Sequence, residues 1–185
     1  ADLSEHLSLA GTEAGDTGNL IAALNGALIM GTVDGTNLEF RESVGAENWF
    51  EFGLSLAEAQ HLKAEGYNPM SLYETNPELR AALNLLTSDQ LTGGDPELFR
   101  PLVNLLLYYD QYLLLADYAD YIASQEQVSQ AYRDTERWTR MSILSAARLG
   151  FFSSDRAVQA YCQEIWQIPT DRPQPDYAQA KKRLG

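Results

Sequence analysis

Ala10-Gly11-Thr12-Glu13-Ala14-Gly15-Asp16-Thr17-Gly18-Asn19-Leu20-Ile21-Ala22-Ala23-Leu24 is the stretch from which the fold is read. Small residues ahead of a helix expose backbone amides, and amides at a helix start favour an anion such as phosphate. Taken alone, such a run is most often a bare structural turn. Thr17 to Leu24 reads as a helix opened by the polar Asp16-Thr17 pair, with Asp16 as its N-cap. Ala27-Leu28-Ile29-Met30 follows as a short buried strand and Trp49-Phe50-Glu51-Phe52 as another, with turn chemistry in Val33-Asp34-Gly35-Thr36-Asn37 between them. Residues 1–53 therefore read as α/β units.

Beyond Gly53 the pattern changes to consecutive helices through residue 168. Ser55-Leu56-Ala57-Glu58 is a capping box, in which the serine oxygen and the glutamate carboxylate each satisfy an amide at the helix start, and Gly66 ends that helix. Asn76-Pro77-Glu78 and Asp95-Pro96-Glu97 repeat one start signal, a capping acceptor before proline with an acid behind it. The helix after Asp95 is apolar on nearly all sides, through Leu98, Phe99, Leu102, Val103, Leu105, Leu106 and Leu107, which predicts a central position with a kink at Pro101. Tyr112 to Tyr132 predicts a longer helix. Gly150 ends the next one, and Ser153-Ser154-Asp155 opens the last, through Trp166. Residues 169–185, with Pro169, Pro173 and Pro175, read as a loose tail, and no internal repeat is visible.

The chain has 185 residues, 45% hydrophobic and 21% charged, which is ordinary for one globular domain. Its formal charge of -13 disfavours nucleic acid and anionic membrane as partners. Cys162 is the single cysteine and is expected to pack in a helix; the simplest compartment is the reducing cytoplasm. His6 and His61 lack ligand spacing, so no metal is expected. No stretch has the roughly 20 apolar residues of a membrane span. The opening Ala-Asp-Leu-Ser suggests an excised or processed segment.

The run from Leu3 to Glu39, LSEHLSLAGTEAGDTGNLIAALNGALIMGTVDGTNLE, resembles the pyridoxal-phosphate segment of glycogen and other α-glucan phosphorylases, whose pattern is close to SEQ.S.AG.EASGTGNMK..LNGAL..GT.DGAN.E. The likeness continues through Gly45-Ala46-Glu47-Asn48-Trp49-Phe50, Gly66-Tyr67-Asn68-Pro69, Leu114-Leu115-Ala116-Asp117-Tyr118, Trp138-Thr139-Arg140-Met141 and Gly150-Phe151-Phe152-Ser153-Ser154-Asp155-Arg156, covering residues 1–168. The resemblance implies a partial Rossmann-like α/β fold, the second lobe of a two-lobed glycosyltransferase (GT-B), with a few short parallel strands followed by a predominantly helical C-terminal half. It implies a family activity, release of glucose 1-phosphate from α-1,4-glucan by inorganic phosphate. The family cofactor works through its phosphate, while a lysine in the GTGNMK run anchors its ring as an imine. By position, Glu13 matches a residue that bonds a sugar hydroxyl, Thr17 and Gly18 match part of the cofactor-phosphate cradle, and Asn19 lies in the same motif.

Two departures bear on chemistry. Aligning Thr17-Gly18-Asn19-Leu20 with TGNM puts Ile21 at the cofactor lysine, so no imine forms there, and Lys63, the next lysine, falls in the capping-box helix. The family's Ser-Gly is Gly15-Asp16 here, and a carboxylate about 4 Å from a phosphate charge is opposed by roughly 4 kcal/mol at an effective dielectric near 20. The resemblance also places the opening residues inside the second lobe. The expectation is a phosphorylase segment that is inactive as this chain alone and holds no cofactor, with a complementary phosphorylase lobe or an α-glucan as partner. Ile21 itself is expected to be core. The alternatives are a silent scaffold derived from that fold, in which Ile21 and Asp16 mark lost cofactor binding, and a carbohydrate-binding module using Glu13 and a tyrosine-rich surface. Tyrosines at helical spacing, Tyr108, Tyr109, Tyr112, Tyr118, Tyr121 and Tyr132, are read as packing ahead of binding. Glu13 is likewise read as a solvated or turn-stabilising acid ahead of a working sugar contact.

Overall fold

The computed structural model describes residues 1–12 and 17–169. Three strands, β1 (Leu3–His6), β2 (Leu28–Gly31) and β3 (Trp49–Glu51), form a parallel sheet in the order β1-β2-β3. Leu3 pairs with Leu28, and Ile29 with Trp49. The crossovers are α1 (Thr17–Leu24) and α2 (Thr36–Val44). A parallel strand between two others needs cover on both faces, and all four residues of β2 are buried. Leu28 and Met30, two apart and so on one face, join Phe50 and Phe52 in the main core. Val128, Ala131, Trp138 and Met141 of the two long helices, α8 (Leu114–Arg133) and α9 (Thr135–Arg148), complete it.

Between β3 and α8 run α3 (Leu56–Ala64), α4 (Pro69–Thr75), α5 (Pro77–Leu86), α6 (Asp89–Thr92) and α7 (Arg100–Tyr108). The local signals work as their chemistry requires. Ser55 and Glu58 make both bonds of a capping box, and the Asn76 side chain accepts from the amides of Glu78 and Leu79. The chain divides into two compact units at Leu149 and Gly150. In the second, α10 (Ser154–Ala160) runs into a wider π-helical turn, Tyr161–Trp166, that buries Cys162.

Several expectations are corrected. Asp95 does accept from the Glu97 amide, at 3.0 Å, but the backbone then makes a turn and α7 starts at Arg100. Pro101 therefore sits in the first turn of α7, where its missing N–H costs nothing, and starts the helix instead of kinking it. Nor is α7 central. Val103 alone is fully buried, and Leu102 is 47% exposed, because neighbouring helices cover one side only. Ile21 is not core: α1 buries Asn19 and Ala23, and Ile21 lies about 200° round the helix from Asn19, 61% exposed. The strand β1 and the helices α2 and α4 carry no expectation from the sequence reading.

Candidate functional site

The loops that follow β1 and β2 lie at the carboxyl edge of the sheet, the edge at which open α/β folds bind ligands. The first loop is buttressed from the second. Thr32 Oγ1 donates to the Ser8 carbonyl at 2.8 Å, and Asp34 Oδ2 accepts the Gly11 amide. Gly11 has a φ of +83°, a conformation that excludes larger residues, and Thr12 closes the turn through its amide and hydroxyl, both donated to the Leu9 carbonyl.

Beneath the loops a buried trio ties the strand ends together. Asn37 Nδ2 donates to the Thr32 carbonyl at 2.9 Å and to His6 Nδ1. The Thr32 carbonyl can only accept, which fixes the asparagine nitrogen as the donor and His6 Nδ1 as an acceptor. Gly31 makes this approach possible, since a Cβ there would lie 3.1 Å from Asn37 Nδ2 and 3.2 Å from the His6 Cβ.

Thr17, Gly18 and Asn19 share the first turn of α1, as the sequence reading requires. Thr17 and Gly18 are exposed, while Asn19 is 3% exposed and accepts from Ser4 Oγ through Oδ1 at 2.8 Å. Asn19 Nδ2 is buried without a hydrogen-bond partner among the described residues. Asn19 thus ties α1 to β1. Glu13 and Asp16, the expected sugar contact and N-cap, lie outside the described residues. Ile21 projects into solvent one turn further along, and Lys63, the sole lysine among the described residues, is exposed on α3. His6, Thr32, Asp34 and Asn37 were missed as site residues. Asp34 and Asn37 stand in a segment read only as a turn, and nothing local links Asn37 to a histidine 31 positions away.

The third loop is held by carboxylates. Asp120 accepts the Gly53 amide at 2.6 Å and Asp117 the Leu54 amide at 2.9 Å, so the end of β3 is clamped to α8. Burial raises the Asp117 carboxyl above its ordinary range; the Leu54 hydrogen bond opposes this, and the nearby Asp120 and Asp110 reinforce it. Among the described residues no cluster of three or more histidine, cysteine or acidic side chains is placed to hold a metal ion, and no helix is long and apolar enough to cross a membrane.

The carbohydrate phosphorylase family matches residues 1–168. This chain belongs to that family. It is 51% identical over 168 residues to the glycogen phosphorylase of Synechocystis sp., covering 91% of this chain and 20% of that protein. It is 45% identical over 181 residues to the human muscle form, covering 96% and 22%, and 45% identical over 179 residues to the bovine muscle form, covering 95% and 21%. The chain thus spans about a fifth of the length of the curated phosphorylases it matches. Membership makes the parallel three-stranded sheet a partial Rossmann-like unit and the chain a phosphorylase segment.

Proposed function

We propose that this chain supplies the glycine-rich loop and the carboxyl edge of the second lobe of an α-glucan phosphorylase, and that the 185 residues alone neither form an imine with pyridoxal phosphate nor carry out phosphorolysis. In this reading residues 1–168 belong to the lobe and the protein works in the cytoplasm; the tail expected over 169–185 lies, beyond residue 169, outside the described residues. The partners are a complementary phosphorylase lobe and the α-glucan that the lobes close upon. Glu13 is the family position for a sugar hydroxyl, and Thr17, Gly18 and Asn19 are the family positions for the cofactor phosphate, which this chain by itself does not put to use.

The single observation that carries the reading is Ile21. The residue one turn into α1, where the family places its cofactor lysine, is a hydrocarbon facing solvent. An imine requires an amine, and Lys63 sits on another helix. The residues present do not fit a covalently held pyridoxal group, although Asn19 Nδ2 and the amides of a helix start suit an anion. The exposure of Ile21 also removes the argument that it was adapted as core filling for a silent scaffold.

Release of glucose 1-phosphate from maltodextrin and inorganic phosphate tests the proposal. The chain with added pyridoxal phosphate is expected to be inactive, and so is the double variant Ile21→Lys, Asp16→Gly, because both still lack the opposing lobe. Activity of the unaltered chain contradicts the reading; activity of the double variant alone contradicts its dependence on a second lobe.

A further inference from the structure

Of the six tyrosines at helical spacing, Tyr132 is half-exposed and packs edge-on against Trp138, and the other five divide into two kinds. Tyr121 packs edge-on against Phe52, with ring centroids 5.3 Å apart, and Tyr118 joins the apolar cluster around Leu79, Leu83 and Leu115. Tyr108, Tyr109 and Tyr112 are exposed, Tyr109 by 75%, and all three fall within five residues where α7 gives way to α8. Three exposed aromatic rings thus lie together on one connection.

That connection is rigidly built. Asp110, itself buried, accepts the Tyr67 hydroxyl at 2.7 Å and the amides of Leu114 and Leu115, both at 2.9 Å. Burial, and after it the bond to Asp110, push the Tyr67 phenol far above the ordinary tyrosine range, so this proton stays in place. Leu113 is held at φ 55°, ψ 30°, a left-handed conformation costing a leucine roughly 1–2 kcal/mol, and its side chain is fully buried. Such strain persists only where the surroundings over-determine it, and it concentrates at binding sites. The same buried leucine packs in one cluster with Leu9, two residues before Gly11, so the tyrosine loop and the glycine-rich turn share a support.

Beside the loop lies a depression of about 380 Å³, with Tyr67 and Asp110 beneath it and Tyr109, Lys63, Gly66 and Gln111 around it. A solvent-facing ring on a held backbone, bordered by an amine and a carboxamide, is the chemistry that receives a pyranose: the sugar's C–H face lies on the ring while its hydroxyls bond to the polar groups. A neutral polyol also meets no penalty from a chain of net charge -13, unlike a phosphorylated or nucleic ligand.

We propose that the Tyr108–Tyr112 connection, centred on Tyr109 and edged by Lys63 and Gln111, is a surface subsite for an α-glucan chain. The choice of ligand rests on the phosphorylase reading; the location rests on the structure. Electrophoresis of the 185-residue chain in native gels containing graded glycogen reads the affinity directly. The unaltered chain is expected to be retarded. Tyr109→Ala should weaken retardation about three- to tenfold, the loss of one stacking contact, and Tyr109→Phe should keep it. Their thermal melts should match the unaltered chain, because the ring is exposed. An unretarded chain overturns the subsite, and so does Tyr109→Ala that is retarded normally. Retardation lost in Glu13→Ala and kept in Tyr109→Ala places the glucan at the glycine-rich loop; that overturns this subsite and leaves the phosphorylase reading standing. Failure of that reading is seen separately, in the phosphorolysis assay.

Discussion

Strand β2 and helix α7 are both runs of apolar residues, yet the structure treats them oppositely. Leu28, Ile29 and Met30 are buried on every side, because β2 lies between two parallel partners and packed helices. In α7, Leu102 and Leu105 face solvent, and Leu106 lines an open apolar groove of about 430 Å³ together with Leu79, Leu83 and Leu114. A run of leucines states how much apolar surface exists. It does not state how much of it this chain covers.

The contrast is broken most severely by truncating the strand. Met30→Ala leaves a cavity beneath β2 and should cost about 3 kcal/mol, read from the shift of the urea midpoint at unchanged slope. A cost near that of an exposed residue would deny β2 its central place. The helical side has its own anchor, and Asp110→Ala should cost about 2 kcal/mol by stranding two amides and a phenol. Tyr67→Phe removes one of those bonds and should cost about 1 kcal/mol. By contrast Leu102→Ala should change stability by less than about 0.5 kcal/mol; a loss comparable to Met30→Ala would show that α7 is packed on both sides after all.

Asp117 sharpens the comparison through pH. Its folded carboxyl titrates above the ordinary value of 3.8, so between those two points the folded chain binds more protons than the unfolded one. Stability contributed by this group is therefore present at low pH and lost as pH rises through the raised folded value. Asp117→Asn keeps an oxygen for the Leu54 amide and should remove that decline, seen as a flatter plot of melting temperature against pH from the acid side. An unaltered plot would mean that burial does not perturb Asp117.

What was legible in the sequence was local. Ser55 and Glu58, or Asn76 and its amides, need only a few residues to find each other, and their bonds form as read. Thr17, Gly18 and Asn19 were placed together because one helical turn holds them. The misreadings concern which side of an element meets the rest of the chain. An aliphatic Ile21 predicts core, but α1 turns Asn19 and Ala23 inward. Strand β1 hid because Leu3 is the one apolar residue among its four, and α2 hid behind the Asp34-Gly35 turn signal although Asn37, Phe40 and Val44 follow one helical face. The bond from Asn37 to His6 exists only once two strands are side by side.

The claim on which the functional reading stands is tested by incubating the chain with one equivalent of pyridoxal phosphate, reducing with borohydride and measuring intact mass. The account predicts no stoichiometric adduct, only partial labelling spread over exposed amines such as Lys63, since position 21 offers no amine. A stoichiometric phosphopyridoxyl adduct on any lysine of the chain would contradict it.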